Sequence, residues 1–214
     1  MVSKDNLILK ISDKNVNIRE YAEKAINDSQ IRDRIVNLML NNPDIMVYYN
    51  SYYIISQASE LKPELFYKYW DDFVLLLNHQ NSYHRDFALN LMANLTQVDA
   101  ENKFSLIFDD YFSHINDEKF MTSRQCIQNT AKILTNKGEL TEDIITILLN
   151  IDARCDFSGK QKALLKSDVI DLFDEFYGKM DDKELINKFV KKELDSISPK
   201  TKKKAKNFVR KYSI

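Results

Sequence analysis

Apolar residues recur at helical spacing along almost the whole of this 214-residue chain. One stripe joins Ile18, Ala22, Ala25 and Ile26, which share one side of a 3.6-residue period. The sequence also holds three glycines and three prolines, where average usage would give roughly 15 and 10. Sheets joined by tight turns need glycine for positive φ angles, so this scarcity disfavours an all-β or α/β fold. The chain is therefore expected to be all-α, with short polar turns.

Capping residues mark where several of these helices should begin. Asn42 is an expected N-cap with Pro43 at the first helical position, where a missing N–H costs nothing. Ser82 and Ser198 are expected to cap two later helices, and residues 152–159 are expected to be a loop. After two helices around Ile18 to Ile26 and Ile31 to Leu40, the expected helices are 44–60, 63–77, 82–96, 102–115, 118–135, 140–151, 160–178, 182–195 and 198–214.

Small residues recur at a nearly constant spacing in the second helix of each expected pair. The series is Ala22, Ser51, Ala88, Cys126, Ser167 and Ala205, with steps of 29, 37, 38, 41 and 38 residues. Two helices approach closely only where small side chains allow it. The spacing therefore predicts an α-α superhelix, a right-handed solenoid of about five to six helical hairpins. Residues 1–214 are expected to form it as a single domain.

Two stretches resemble the turn and helix opening of HEAT and armadillo repeats. Asn15 to Ala22 and Asn81 to Ala88 each place a turn with asparagine before a basic and then a small residue. Weaker copies are Met121 to Cys126, Pro199 to Ala205 with lysine in place of arginine, and residues 44–59 with Tyr48 where the arginine is expected. The resemblance covers nearly the whole chain. It implies HEAT-like hairpins, and so an architecture rather than an activity.

The charge of the chain is unevenly distributed. Residues 182–214 hold eleven Lys and Arg against four Asp and Glu, a net charge of +7, so residues 1–181 carry −8. The basic end either contacts phosphate groups or serves as a solubilising cap on the end of the solenoid. The cap is the prediction, because Ala205, Phe208 and Val209 give the last helix an apolar side.

The sequence carries no catalytic signature. It contains no P-loop, GxGxxG, HExxH, GxSxG or CxxC motif. His79 and His84 are five residues apart, off the i,i+4 face that a helical metal pair needs. No enzymatic activity, cofactor or metal is therefore expected. Cys126 and Cys155 form no disulfide framework and no apolar run is long enough to span a bilayer, so the chain is expected in the cytoplasm, away from membranes.

Aromatic and amide side chains on successive second helices suggest a binding surface. Asn90 and Asn94 lie inside a helix although asparagine is a poor helix former. One repeat earlier Tyr53 takes the place of Asn90, and one repeat later Gln128 and Lys132 correspond to the two asparagines. The alternatives are that the tyrosines pack in the core and that the asparagines reflect drift. The predicted partner-binding residues are Tyr49, Tyr53, Asn90, Asn94, Gln128 and Lys132.

Two functions remain as hypotheses. The first is a non-enzymatic scaffold that binds a protein partner along the stacked second helices. The second is a DNA-binding protein related to the HEAT-like alkylpurine DNA glycosylases, because the basic stretch after Ile197-Ser198-Pro199 is similar to their last repeat. Those enzymes share paired tryptophans with an Asp, whereas this chain has only Trp70, beside Asp71. The acidic body also suits a duplex poorly, so a protein partner is the prediction.

Overall fold

The structure is a computed structural model that describes residues 4–181 and 183–214. Within these residues the chain is helical and contains no strand, which confirms the all-α prediction. The α-helices are α1 Lys4–Ile11, α2 Ile18–Asn27, α3 Ser29–Asn41, α4 Ile45–Leu61, α5 Trp70–Leu75, α6 Ser82–Leu95, α7 Lys103–Leu106, α8 Phe108–Ser113, α9 Phe120–Asn136, α10 Thr141–Leu149, α11 Ile151–Arg154, α12 Gly159–Phe176, α13 Lys183–Lys192 and α14 Pro199–Tyr212.

Six of these helices form a continuous layer in chain order. Helix α2 packs on α4, α4 on α6, α6 on α9, α9 on α12 and α12 on α14. Each of the six carries one residue of the small-residue series, and all six side chains are 0% exposed. Because small side chains let two helix backbones approach closely, these positions set the spacing within the layer.

Several of the remaining helices pack against this layer. Helix α3 packs on α2 and α4, α5 on α6, and α13 on α14. The helices expected at 63–77 and 102–115 are wrong as single elements, since each is broken into short α and 3-10 turns. In the second, Asp99 accepts hydrogen bonds from the N–H groups of Lys103 and Phe104, at 2.8 and 2.9 Å. This carboxylate satisfies the first turn of α7 after Asn102 adopts a left-handed conformation, at φ 56°.

The start of α4 differs from the expected one. Asp44, and not Asn42, is the N-cap, because its carboxylate accepts from the N–H groups of Met46 at 2.8 Å and Val47 at 3.3 Å. Asn42 instead accepts from the Asp44 N–H at 2.9 Å, and Pro43 lies outside the helix. Asp44 is the cap because it directly precedes the helix, where its side chain reaches two free N–H groups of the first turn.

One further cap and one loop differ from the expected ones, and another cap agrees with the prediction. Asn81, rather than Ser82, caps α6 by accepting from the Tyr83 N–H at 3.0 Å. Ser198 caps α14 as expected, with its hydroxyl accepting from the Thr201 N–H at 3.3 Å. The loop expected at 152–159 is shorter, because α11 occupies its first residues and α12 begins at its last.

The N-terminal helix α1 was not expected from the sequence. Leu7 and Ile11 bury its apolar side. Asn50 on α4 donates to the backbone carbonyls of Ile11 at 2.6 Å and Asp13 at 3.2 Å, so it satisfies acceptors that the end of a helix leaves free. Helix α1 thus packs on α4.

The C-terminal helix α14 closes one end of the layer. Thr201, Ala205 and Phe208 are buried against α12, while Val209 is half-buried. The Thr201 hydroxyl donates to the backbone carbonyl of Ala163 at 2.6 Å. In the described part of the chain, no helix is long and apolar enough to cross a membrane.

Candidate functional site

A line of polar side chains crosses from α4 over α6 to α9. The Ser56 hydroxyl on α4 donates to Asn90 Oδ1 on α6 at 2.6 Å. Asn90 Nδ2 in turn donates to Asn129 Oδ1 on α9 at 3.1 Å. Because both bonds join neighbours in the layer, this line holds the three helices in register.

Asn94 is the centre of a second set of bonds and is only 4% exposed. Its Nδ2 donates to the Ser56 carbonyl at 3.2 Å and to the Ser59 hydroxyl at 2.9 Å. Its Oδ1 accepts from Lys132 Nζ at 2.6 Å, and the same ammonium lies 3.4 Å from a carboxylate oxygen of Glu60. Lys132 on α9 and Glu60 on α4 meet above α6, and both line a depression in the surface of these three helices.

An open groove of ≈ 320 Å³ follows this concave surface. Ala93 and Ala131 are short and leave room between the longer side chains around them. Glu60 and Glu175 supply carboxylates and Gln97 an amide, so the groove can both donate and accept hydrogen bonds. Its surroundings suit recognition of a polar partner.

A tyrosine patch lies beside the polar line. The Tyr52 ring stacks on Phe87, with centroids 4.0 Å apart and an interplanar angle of 10°. Tyr49 meets Tyr53 and Tyr83 edge to face, at centroid distances of 5.3 and 5.2 Å. Burial, with the nearby tyrosine hydroxyls, raises the pKa of Tyr49 to about 12. This hydroxyl therefore stays protonated at neutral pH and can donate a hydrogen bond.

Gln128 points in the other direction, towards α12. Its Nε2 donates to Asp168 Oδ2 at 3.3 Å. Arg124 holds the same carboxylate through two bonds, at 2.7 and 3.0 Å. The buried Asp168 carboxylate thus joins α9 to α12, and Gln128 extends the polar surface one helix further.

The structure places the six predicted residues in two neighbouring groups and one outlying position. Asn90, Asn94 and Lys132 form one group, because Ser56 bonds both asparagines and Lys132 bonds Asn94. Tyr49 and Tyr53 belong to the tyrosine patch, and Gln128 to the α9–α12 contact. Tyr53, at 46% exposure, and Gln128 are the most accessible, whereas Asn94 is buried. That the six act as one binding surface stays a prediction.

Sequence reasoning missed two residues of this surface. Tyr83 is exposed and contacts Tyr49; its place four residues before Phe87 at the start of a helix is the signal that could have found it. Asp86 lies close to Tyr49 and Tyr52, and burial raises its pKa. Within the described residues, Asp86 Oδ1 has no hydrogen-bond partner.

Other candidate chemistry lies apart from this surface. Trp70 is buried, with its ring 5.5 Å from Tyr67, so it does not line an open cleft. No group of three or more metal-ligating side chains occurs in residues 4–181 and 183–214 that the structure describes. A scan against protein-family models finds no match to this chain, and a search of curated proteins finds no similar sequence.

Proposed function

We propose that this chain is a single-domain, HEAT-like right-handed solenoid that acts as a non-enzymatic scaffold in the cytoplasm. One observation supports the repeat architecture above all. The six small residues that recur along the sequence lie fully buried on six long helices that pack in chain order. A stack of this kind presents a continuous surface along its long helices, which is where we place the partner.

The partner we propose is a protein. The surface over α4, α6 and α9 is concave and offers tyrosines next to amides. Tyrosine supplies a large contact area and a hydrogen bond at low conformational cost, which is why it is enriched at binding hot spots. Tyr53 and Tyr83 are exposed enough to be covered by such a partner.

Nucleic acid is the weaker alternative on this surface. The groove carries the carboxylates of Glu60 and Glu175 and a single ammonium group, from Lys132. Phosphate binding needs a surplus of Lys and Arg, so this charge balance favours a polar polypeptide.

Site-specific photo-crosslinking in the native host tests the proposal. A photoreactive phenylalanine analogue replaces Tyr53 or Gln128, and a matched control carries it at the exposed Asp109 on α8. We expect a discrete protein adduct from positions 53 and 128 and none from position 109. Adducts of equal yield at all three positions, adducts with nucleic acid alone, or none at all would overturn the proposal.

A binding measurement with the captured partner completes the test. Tyr53→Ala combined with Gln128→Ala should weaken binding by at least about tenfold, as loss of a hot spot does, while the melting temperature stays nearly unchanged. Asn90 is unsuitable for this variant because it bonds both Ser56 and Asn129, so its removal would also loosen the helix layer. Unchanged affinity in the double variant would contradict the location of the site.

A further inference from the structure

Helix α14 sorts its basic residues onto two faces. Lys204 and Lys211 point towards α12, where they pair with Asp171 and Asp174 respectively. Lys204 also donates to the backbone carbonyl of Ser167 at 3.0 Å. These two lysines are part of the packing between the last two long helices.

The outer face of α14 carries a basic strip, formed by Lys202, Lys203, Lys206 and Arg210. Together with Pro199 and Asn207 these residues line an open depression of ≈ 480 Å³. No carboxylate in the described ranges 4–181 and 183–214 forms an ion pair with any of the four. The strip is therefore a patch of four positive charges without a neutralising partner.

The strip is unfavourable for the helix on its own. Lys202 and Lys206 are four residues apart, as are Lys206 and Arg210, and like charges at this spacing destabilise a helix. The strip also lies on a protein whose residues 1–181 carry a net charge of −8. Carboxylates are thus plentiful in the chain, yet the two that pair with α14, Asp171 and Asp174, bind the inward lysines and not the strip.

We propose that the basic strip is a second docking surface, which binds an acidic segment of a partner protein. From residue 199 to residue 210 a helix rises by about 16 Å. An extended polypeptide of about five residues covers this length. Several Asp and Glu side chains in such a segment can reach the strip at once, and charge complementarity then determines the position and the rate of binding.

The strip fits an acidic polypeptide better than it fits nucleic acid. None of its lining residues is aromatic, so it offers no platform on which a base can stack. The rest of the chain, residues 1–181, carries a net charge of −8, which would repel the flanking phosphates of a longer polyanion. A short acidic segment stays within the strip and avoids this repulsion.

This surface is separate from the concave one over α4, α6 and α9, so the two proposals can fail independently. The probe is a fluorescent peptide in which Asp and Glu alternate with Gly and Ser. Its binding to the full chain is measured by anisotropy at low salt and at about 150 mM salt, where the Debye length is about 8 Å. The test variant is Lys202→Gln, Lys203→Gln, Lys206→Gln. The matched control, Lys119→Gln, Lys160→Gln, Lys188→Gln, removes the same charge from exposed lysines that form no ion pair with a described residue.

We expect the test variant to bind the peptide roughly tenfold more weakly, which is the combined effect of three exposed charge pairs. The control variant should bind within about twofold of the wild type, since distant exposed charges are screened. Arginine at the same three positions should restore binding. Both glutamine variants should keep the wild-type melting temperature, because none of the lysines is buried.

Four outcomes would overturn the proposal. They are no peptide binding at low salt, equal loss in the test and control variants, tighter binding of a single-stranded oligonucleotide of the same net charge, and self-association that the test variant abolishes. The third would assign the strip to nucleic acid and the fourth to a second copy of this chain. Sedimentation of the wild type and the test variant at low salt distinguishes the fourth from the rest.

Discussion

Arg85 and Asp117 form a buried, bidentate ion pair that ties α6 to the turn before α9. Arg85 Nε and Nη2 each lie 2.7 Å from a carboxylate oxygen, and the two side chains are 8% and 4% exposed. The guanidinium also donates to the His79 carbonyl at 2.8 Å. Burial opposes ionisation of Asp117, but hydrogen bonds from Arg85, the Lys119 N–H and His114 outweigh it and lower the pKa of this carboxyl.

Replacing Arg85 by alanine should strongly destabilise the chain. The substitution leaves the Asp117 carboxylate buried without its counter-charge, a situation that costs about 3–5 kcal/mol. Urea denaturation followed by circular dichroism measures the change in the free energy of unfolding.

The control is Arg19→Ala, at the equivalent position of the first repeat copy. Arg19 pairs with Glu23 at 3.2 Å, but its side chain is 81% exposed. Its removal should change the free energy of unfolding by about 0.5 kcal/mol or less. Similar losses in both variants would show that the buried Arg85–Asp117 pair stabilises the fold no more than the exposed Arg19–Glu23 pair does.

His84 should make the stability depend on pH. Burial, aided by the charge of His79, lowers the pKa of His84 to about 4. The unfolded chain titrates near 6.5, so it binds more protons than the folded chain between these two values. The contribution of His84 to stability is therefore present in full above pH 6.5 and is lost as the pH falls towards 4. The loss is about 1–2 kcal/mol once solvent screening is included.

Urea denaturation at several pH values between 7 and about 4 tests this, with wild type compared against His84→Gln. The loss of stability due to His84 should appear in the difference between the two curves. Burial raises the pKa of Asp86, so Asp86 changes stability in the opposite direction, but it does so in both proteins and cancels in the difference. His79→Gln is the control and should keep most of the slope. Parallel curves for wild type and His84→Gln would contradict the prediction.

Ser51 and Ser123 should respond oppositely to alanine substitution. Both are 0% exposed. The Ser51 hydroxyl has no hydrogen-bond partner among the described residues, so Ser51→Ala should be neutral or stabilise by up to about 1 kcal/mol. The Ser123 hydroxyl accepts from the Asp117 N–H at 3.2 Å. Its loss should cost about 1–3 kcal/mol. Thermal denaturation ranks the two variants, and a reversed order would mean that the buried hydroxyl of Ser51 is satisfied.

Phe208 should anchor the C-terminal helix. It is buried and packs edge to face against Tyr177, with ring centroids 5.1 Å apart. Phe208→Ala should cost about 3–5 kcal/mol. Lys203→Ala, on the exposed side of α14, should change stability by no more than about 0.5 kcal/mol. A melting temperature of Phe208→Ala equal to that of the wild type would show that α14 does not cap the layer.

Periodicity and small-residue spacing predicted the long helices well. The series from Ala22 to Ala205 falls on six helices and is fully buried on each of them. The short helices were harder, because the stretch that periodicity joined over residues 102–115 is interrupted at Ile107, where α7 ends and α8 begins. A single residue with non-helical backbone angles, here Ile107 at φ −108° and ψ 6°, ends a helix without changing the apolar spacing around it.

The site was predicted only in part. Alignment of the repeats brought Asn90, Asn94 and Lys132 together. In the structure Ser56 bonds both asparagines, and Lys132 bonds Asn94. It did not distinguish the buried Asn94 from the exposed Gln128, although both are amides at helical positions in the same layer. Burial of a polar side chain depends on whether a partner is present, and the partners of Asn94 lie on two other helices.

The sequence by itself determined the helical class and the positions of the long helices. Those features depend on apolar period and capping, which act over about four residues. Tertiary structure alone decided which arginine of the repeated motif is buried, since Arg19 stays in solvent while Arg85 is held by a carboxylate 32 residues further along the chain. It also decided that Lys132 meets Glu60 across an intervening helix. Such pairings bring together groups far apart in the chain, so they form only once the helices have packed.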